Sequence, residues 1–175
     1  MTGVLGAGSA LGAATLVSLF AKSKTDERAK TNLVSAAVCF IAAVHYAAIY
    51  TGTNPRSARM SDWLLTCPLL AFEMTYLLGH SLHRCIAAAV AAGTMIAIGG
   101  KQFAISCGLL CLTAVLIFAP EKGTRRREIP SWVIALFFAL WPLYPIADYL
   151  MLDQMSYSIL DTLSKGLFAG VIALI

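Results

Sequence analysis

Residues 159–175, ILDTLSKGLFAGVIALI, form an almost wholly apolar stretch that contains two opposite charges, Asp161 and Lys165. An ammonium group inside the hydrocarbon of a bilayer is costly and is rarely retained without a functional role. Side chains four residues apart lie one above the other on a helix face, so Asp161 can neutralise a cation at position 165. The stretch therefore predicts a membrane-spanning helix with a functional ion pair inside it.

The rest of the chain has the composition of an integral membrane protein. Its 175 residues are 59% hydrophobic and 13% charged, with a mean hydropathy of +0.77. Seven apolar stretches are near the roughly 20 residues that cross a bilayer; they are residues 3–22, 31–52, 57–79, 82–99, 102–119, 130–151 and 155–174. The short connections between them leave no room for a soluble domain. We expect a single domain, residues 1–175, folded as an all-α bundle of seven transmembrane helices.

Basic residues in the connections indicate the orientation. One set of alternate connections has nine Lys and Arg residues (Lys22, Lys24, Arg28, Lys30, Arg84, Lys122, Arg125, Arg126, Arg127) and the other has three (Arg56, Arg59, Lys101). The positive-inside rule places the N-terminus outside and the C-terminus in the cytoplasm. The first stretch has no basic segment before it and is interpreted as a retained span. We expect a multi-pass protein of the cell membrane, surrounded by lipid and without a nucleic-acid partner.

The sequence gives no sign of soluble-enzyme chemistry. Its five cysteines lie inside or at the edges of apolar stretches, without a CxxC pair or a histidine at metal-ligand spacing. They are interpreted as small buried hydrophobic residues. No internal repeat, Gly-rich phosphate loop or nucleophile elbow is present. We expect neither an enzyme nor a metal site.

The third stretch has several polar groups on one helix face. Asp62 follows Arg59 by three residues, and Thr66 follows Asp62 by four. Glu73 comes eleven residues after Asp62, which returns it to within roughly 20° of the same face and about 16 Å farther along the axis. The two carboxyl groups are therefore expected at different depths, with Asp62 toward the outside and Glu73 toward the cytoplasm.

This arrangement is typical of a proton path. A cation at mid-membrane between two carboxyl groups can release a proton to one and recover it from the other, provided that their proton affinities differ. We expect Asp62 to be ionised at rest because Arg59 and the cation are near it. We expect Glu73 to be protonated because its neighbours are apolar. A set of structural ion pairs is the alternative, but a series on one face together with a Lys–Asp pair favours function.

Three motifs resemble those of the microbial rhodopsins, the seven-helix retinal proteins. Residues 59–70, RMSDWLLTCPLL, are similar to the family's R-x-x-D-W-L-L-T-x-P-L-L signature. Residues 141–145, WPLYP, resemble its W-x-x-Y-P, and residues 161–165, DTLSK, resemble its D-x-x-x-K. The motifs occur in the family's order, and the resemblance spans all seven stretches, more weakly in the first, fourth and fifth.

The resemblance implies that all-trans retinal is bound covalently to Lys165 as a Schiff base. Asp62 would be the primary counterion and proton acceptor. Asp161 would be the second counterion, held by the hydroxyl groups of Tyr46 and Tyr144. The implied retinal pocket has Trp63 and Trp141 on either side of the polyene chain, with Leu70, Met95, Gly99, Phe103, Ser106 and Pro145. Ordinary core packing is the alternative for each pocket residue taken alone.

The same resemblance implies a subfamily. Asp62, Thr66 and Glu73 match the D-T-E pattern of the proteorhodopsin-like outward proton pumps, in which the second carboxylic acid reprotonates the Schiff base. His45, followed by Tyr46, is similar to the His-Tyr pair of that group, in which the imidazole hydrogen-bonds the acceptor. A satisfied core histidine is the alternative. Leu70 implies green absorption. The predicted function is therefore a light-driven outward proton pump in which Arg59 assists proton release.

Two other functions of the same fold remain open. A light-gated channel is suggested by Cys67, because channelrhodopsins have a cysteine there that bridges to an Asp, although the matching position here is Ala92. A sensory photoreceptor is the other alternative. The donor carboxyl group of Glu73 argues against it, because signalling does not need fast reprotonation. Asp153 or Asp148 is a candidate release group near the outer surface. Family analogy implies a homo-oligomer, as a pentamer or hexamer.

Overall fold

The structure, a computed structural model, describes residues 2–22, 26–98, 103–121, 130–150 and 152–174. Gly99, predicted to line the retinal pocket, and the basic run at 125–127 lie outside these ranges. All regular secondary structure within them is helical. This confirms the predicted all-α class.

The helices follow the seven apolar stretches. The first five stretches correspond to α1 (Thr2–Phe20), α2 (Asp26–Tyr50), α3 (Pro55–Leu77), α4 (Leu82–Ile98) and α5 (Phe103–Phe118). The sixth contains α6 (Ser131–Leu140) and α7 (Leu143–Tyr149). The seventh contains α8 (Gln154–Asp161), a π-helical turn π1 (Thr162–Leu167) and α9 (Phe168–Leu174). The seven-helix fold is confirmed, and its orientation in the membrane stays a prediction.

Length and hydropathy differ among these helices. Among the described residues, three segments are both long and apolar enough to cross a membrane: Thr2–Phe20, Ala29–Tyr50 and Gln154–Leu174. Helices α4 and α5 are apolar but have only 17 and 16 residues, in agreement with their short stretches. Helix α3 has 23 residues, but its charged side chains lower its hydropathy. The least apolar long helix is thus the one with the predicted proton path.

The sixth stretch is not the single helix that the sequence predicted. A turn at Trp141 and Pro142 separates α6 from α7. Proline has no N–H to donate and its ring crowds the preceding helical turn. The Tyr144 N–H then donates to the Trp141 carbonyl oxygen, only three residues earlier, at 3.3 Å. The interruption lies inside the W-x-x-Y-P motif.

The chain forms two compact units, one of Met1–Arg59 with Pro130–Ile175 and one of Met60–Ile129. In the first unit, α1 packs against α2, and both helices contact the seventh stretch. Small side chains at these contacts let the helix backbones approach closely. The buried cluster between them consists of Ala7, Leu11, Ala14, Cys39, Ala42, Tyr46 and Ala169.

The second unit has α4 packed against α5. The side of α4 that is buried is again made of small residues: Cys85, Ala88, Ala91 and Ala92. Gly93 lies against α3, where a Cβ atom would come within 3.2 Å of Pro68 Cγ. Close packing between α3 and α4 therefore depends on the missing side chain at position 93.

Candidate functional site

Lys165 lies in π1, and its side chain is almost completely buried, with 1% of it exposed. Its Nζ atom is 2.8 Å from Asp161 Oδ1, and the Asp161 side chain is equally buried. This confirms the ion pair that the spacing of the two residues predicted. A buried ammonium needs such a partner because an uncompensated charge there costs several kcal/mol, on the order of 3–5.

Two tyrosine hydroxyl groups also donate hydrogen bonds to the carboxylate of Asp161. The Tyr46 hydroxyl donates to Oδ2 at 2.8 Å, and the Tyr144 hydroxyl donates to Oδ1 at 2.7 Å. Both carboxylate oxygens therefore accept hydrogen bonds, as the anionic partner of Lys165 requires. The contacts expected for Tyr46 and Tyr144 are confirmed. The two hydroxyls come from α2 and α7, so residues far apart in the sequence fix one carboxylate.

Ser164 extends this network and was not predicted. Its Oγ atom is in hydrogen-bond contact with the Tyr144 hydroxyl. Because Tyr144 donates its proton to Asp161, Ser164 is the donor in this contact. Ser164 occupies a variable position of D-x-x-x-K, so the motif itself gave no signal. Its position directly before Lys165 was the one feature of the sequence that could have indicated this contact.

The π-helical turn changes the backbone at Lys165. The Lys165 carbonyl oxygen accepts from the Phe168 N–H and also from the thiol of Cys39, whose Sγ atom is 3.5 Å away. Turns of this type inside α-helices are frequent at functional sites. Cys39 is fully buried, as the sequence predicted, whereas the same prediction was wrong for Cys107 and Cys111, which are exposed. The structure adds a direct contact between the Cys39 thiol and the backbone of the lysine.

Aromatic side chains line a cleft beside this turn. Trp141 packs against Phe137 with ring centroids 4.9 Å apart, and Phe137 packs against Phe168 at 5.8 Å. The cleft is lined by Leu136, Phe137, Leu140, Trp141, Ser164 and Phe168. A buried amine with a fixed counter-charge, next to an apolar aromatic cleft, fits a long conjugated aldehyde bound through that amine. Of this lining, only Trp141 was predicted.

Arg59 contacts two residues of α8 that were not predicted. Its Nη1 atom donates to Gln154 Oε1, and its guanidinium lies over the Tyr157 ring, 4.0 Å from the centroid. Both partners are neutral. The Gln154 Nε2 atom is buried and makes no hydrogen bond to any residue that the structure describes. Arg59 is thus held at the N-terminal end of the seventh stretch by an amide and a ring.

Asp153, a candidate release group by its position, makes a capping contact that the sequence did not predict. It is the N-cap of α8: its Oδ1 atom accepts from the Ser156 N–H at 2.9 Å and from the Ser156 hydroxyl at 2.7 Å. The backbone hydrogen bond, followed by the side-chain one, holds the pKa of Asp153 below its ordinary value of 3.8. Such contacts are those of a capping carboxylate. The other candidate, Asp148, lies in α7.

Helix α3 presents its predicted residues as a buried series. Asp62, Trp63, Thr66, Leu70 and Glu73 are all at least 93% buried. The Thr66 hydroxyl donates to the Asp62 backbone carbonyl oxygen at 2.9 Å, which fixes its orientation along the helix. Two carboxyl groups are therefore withdrawn from solvent on one helix.

The remaining predicted residues that the structure describes include three that are half-buried: His45, Met95 and Ser106. His45 is half-buried, and its Nδ1 atom is 2.7 Å from the Ile41 carbonyl oxygen. A carbonyl oxygen only accepts, so Nδ1 carries the hydrogen in this contact. Met95 in α4 and Ser106 in α5 are half-buried, and Phe103 and Pro145 lie in α5 and α7.

Several solved structures that share this fold are light-driven pumps. Xanthorhodopsin, a light-driven ion pump with a dual chromophore, has a TM-score of 0.81 and 21% identity, over 99% of this chain and 90% of its own. The light-driven proton pump LR (Mac) from Leptosphaeria maculans has a TM-score of 0.83 and 19% identity, over 99% and 93%. The light-driven proton pump CsR from Coccomyxa subellipsoidea has a TM-score of 0.80 and 20% identity, over 99% and 95%. At these identities the likeness establishes the fold.

No curated protein matches the sequence significantly. The family model of bacteriorhodopsin-like proteins matches residues 2–175, which is nearly the whole chain. Proteins of this family are helical membrane proteins, and retinal is their characteristic chromophore. The chain therefore belongs to the bacteriorhodopsin-like family of microbial rhodopsins.

Proposed function

We propose that this protein is a light-driven outward proton pump in which Lys165 attaches retinal, Asp62 accepts the proton and Glu73 replaces it. The observation that carries the proposal is the buried amine of Lys165, 2.8 Å from the carboxylate of Asp161, in a chain of the rhodopsin family. A charge at this depth is costly to maintain without a function.

The residues around Lys165 suit retinal attachment. Retinal bound through Lys165 would supply visible-light absorption and a photoisomerisation that redirects the N–H group at Nζ. Asp161 stabilises positive charge on Nζ, while Tyr46 and Tyr144 keep its carboxylate in place. Apolar and aromatic side chains beside π1 exclude water from the site. Within such a dry environment, each charge on the chain acts strongly on its neighbours.

Asp62 is the proposed acceptor. After illumination the N–H bond at Lys165 Nζ breaks, and the proton forms an O–H bond with the Asp62 carboxylate. The D-T-E pattern supports this assignment, as does the burial of Asp62, of which 2% is exposed. A carboxylate withdrawn from water gains more from taking up a proton than one at the surface.

Glu73 is the proposed donor. It is fully buried, and its chain neighbours Phe72 and Met74 are apolar. Ionising a carboxyl group is costly where it is withdrawn from water, so the neutral carboxylic acid is the proposed resting form. It can give its proton to Lys165 Nζ and then recover one from the cytoplasm. The different depths of Asp62 and Glu73 along α3 give the transport its direction.

Proton release on the outer side does not use Asp153 in this proposal. Its pKa lies below 3.8 because Ser156 hydrogen-bonds the carboxylate, so at neutral pH it holds no proton to release. Arg59 contacts the neutral Gln154 and Tyr157 instead. The proton is therefore proposed to leave directly from Asp62, assisted by a displacement of Arg59.

Voltage-clamped photocurrents test the function. Cells that express the protein and are given all-trans retinal should show an outward current under light at every voltage of the physiological range. Unbuffered suspensions should acidify, and a protonophore should abolish the change. A current that reverses with voltage would instead indicate a channel, and a photocycle without current would indicate a sensor. The Lys165→Ala variant should show neither a visible absorption band nor a photocurrent.

A further inference from the structure

His80 lies in the turn between α3 and α4 and has a side chain that is 7% exposed. Helix α3 ends at Leu77, and Gly79 follows with a φ of +82°, a conformation that glycine adopts without strain. The His80 N–H then donates back to the Thr75 carbonyl oxygen at 3.3 Å. This helix end directs the imidazole toward α5.

Both ring nitrogens of His80 face acceptors. Nδ1 is 3.2 Å from Glu121 Oε2, and Nε2 is 2.9 Å from the Ile117 carbonyl oxygen. A carbonyl oxygen and an ionised carboxylate can only accept hydrogen bonds. Both contacts are hydrogen bonds at the same time only in the form of the ring that carries hydrogen on both nitrogens. In that form the nearly buried ring holds a transferable proton.

Glu121 is ionised in this arrangement. The Ser81 N–H donates to its Oε2 atom at 2.9 Å. That bond, with smaller contributions from His80 and the charge of Arg84, holds the pKa of Glu121 below 4.5. The Glu121 side chain is 25% exposed. It therefore connects the nearly buried imidazolium to water.

Capping of α5 does not by itself account for this pair. The Arg84 guanidinium donates to the carbonyl oxygens of Val115, Leu116 and Ala119 at the end of that helix. Those contacts already supply the positive charge that a helix C-terminus favours. Among the described residues, the charged groups that make contacts at this corner are Glu121 and Arg84. His80 Nε2 binds one further carbonyl oxygen of this helix end, that of Ile117, so the contact of Nδ1 with Glu121 is the part that the cap does not require.

We propose that His80 and Glu121 form a proton-loading site at the entrance to the path that refills Glu73. This inference rests on the proposed function. Glu73 lies one helical turn before the end of α3, His80 follows three residues after that end, and both belong to one compact unit. The positive-inside rule assigns this end to the cytoplasm. The proton stored on the imidazolium is thereby close to the carboxyl group that must be refilled.

The proton balance of the step is simple. The Nδ1–H bond of His80 breaks, its electron pair stays on Nδ1, and the proton passes through water to the emptied Glu73 carboxylate, where an O–H bond forms. The Nε2–H bond to Ile117 persists. The new lone pair on Nδ1 faces the negative Glu121 Oε2 atom, which is unfavourable. Bulk water then supplies one proton through the exposed carboxylate, and the Nδ1–H bond forms again.

His83 provides a matched control for the test, because it is an exposed histidine in the first turn of α4. Proton uptake after a flash can be followed with a pH-indicator dye in proteoliposomes, together with recovery of the dark state. Electrostatic focusing at a proton entry changes uptake rates by roughly 10–1000-fold. His80→Gln should therefore slow uptake by about tenfold, and added imidazole buffer should restore it. His83→Gln should leave the rate unchanged.

The outcomes separate this inference from the proposed function. Unchanged uptake in a His80→Gln protein that pumps and keeps its absorption band would overturn the proton-loading site and leave the pump intact. Equal slowing in His80→Gln and His83→Gln would do the same. An absence of light-driven uptake in the native protein would remove both. Nitrogen NMR of the labelled native protein provides a check that needs no variant: two protonated ring nitrogens at His80 at neutral pH are expected, and one would refute the site.

Discussion

The Lys165 ammonium and the Asp161 carboxylate form a buried ion pair, 2.8 Å long, within a single helical turn. Hydroxyl groups from two other helices bind the carboxylate and keep it oriented toward the lysine. The pair therefore stabilises the fold and sets the electrostatics of the attachment site. Substitutions can separate the effect of the pair on stability from its effect on the attachment site.

Asp161→Asn should lower both stability and chromophore binding. Removing one partner of a buried ion pair leaves the other charge uncompensated, which costs about 3–5 kcal/mol. Tyr46→Phe removes one hydrogen bond and keeps the charge, so it should cost about 1 kcal/mol. Thermal denaturation of the retinal-free proteins gives the stabilities, and visible spectra give the bound fraction.

The double variant Lys165→Ala with Asp161→Asn checks the cause. If the ion pair explains the loss, the double variant should be more stable than Asp161→Asn alone, because no buried charge is left. Equal stability of the two proteins would show that Asp161 acts through its hydrogen bonds with the tyrosines rather than through its charge.

Gln154→Glu should change the order of proton release and uptake. The partners of Arg59 among the described residues, Gln154 and Tyr157, are neutral, so neither offers a carboxyl group that could release a proton early. A glutamate at position 154 would add such a group. We expect a dye signal for release before uptake in Gln154→Glu, and a signal for release after uptake in the native protein.

Gln154→Met is the control for shape, since it removes the amide without adding a charge. It should keep the native order of release and uptake. Asp153→Asn should also keep the native order, because asparagine still caps α8 and the native carboxylate holds no proton at neutral pH. A change of order in Asp153→Asn would restore Asp153 as the release group.

The sequence predicted what depends on local spacing and on recognisable motifs. The ion pair of Asp161 and Lys165 follows from helical periodicity, and the contacts of Tyr46 and Tyr144 follow from the family resemblance. The break after Leu140 was missed because hydropathy is continuous through Pro142, whereas the proline affects backbone hydrogen bonding. The π-helical turn has no sequence signal of its own.

Contacts between distant segments could not be predicted from spacing. Gln154 and Tyr157 bind Arg59, although Arg59 lies 95 residues before Gln154 in the sequence. Neither Gln154 nor Tyr157 belongs to a motif. The pairing of His80 with Glu121 likewise depends on how α3, α4 and α5 meet. Asp153 directly precedes α8, but its function as a cap depends on the orientation of one side chain, which the sequence does not reveal.

Glu121→Gln should remove a pH-dependent part of the stability. Hydrogen bonding lowers the pKa of Glu121 in the folded protein relative to 4.5, its ordinary value. The stabilising contribution is therefore complete above pH 4.5 and is lost as the pH falls through the lower pKa of the folded state. The unfolding midpoint of the native protein should exceed that of Glu121→Gln at pH 7. The two midpoints should converge in acid, below the folded pKa, and a constant difference down to that pH would contradict the linkage.

Cys39→Ala should alter the backbone at Lys165 without altering the ion pair. The thiol donates to the Lys165 carbonyl oxygen, which the π-helical turn leaves accessible from α2. Loss of this bond should move the infrared band of a ¹³C-labelled Lys165 carbonyl to higher frequency. Cys39→Ser keeps a donor and, because a hydroxyl donates more strongly than a thiol, should leave the band unshifted or move it lower. If both variants moved the band equally upward, packing at position 39 and not the hydrogen bond would control the carbonyl.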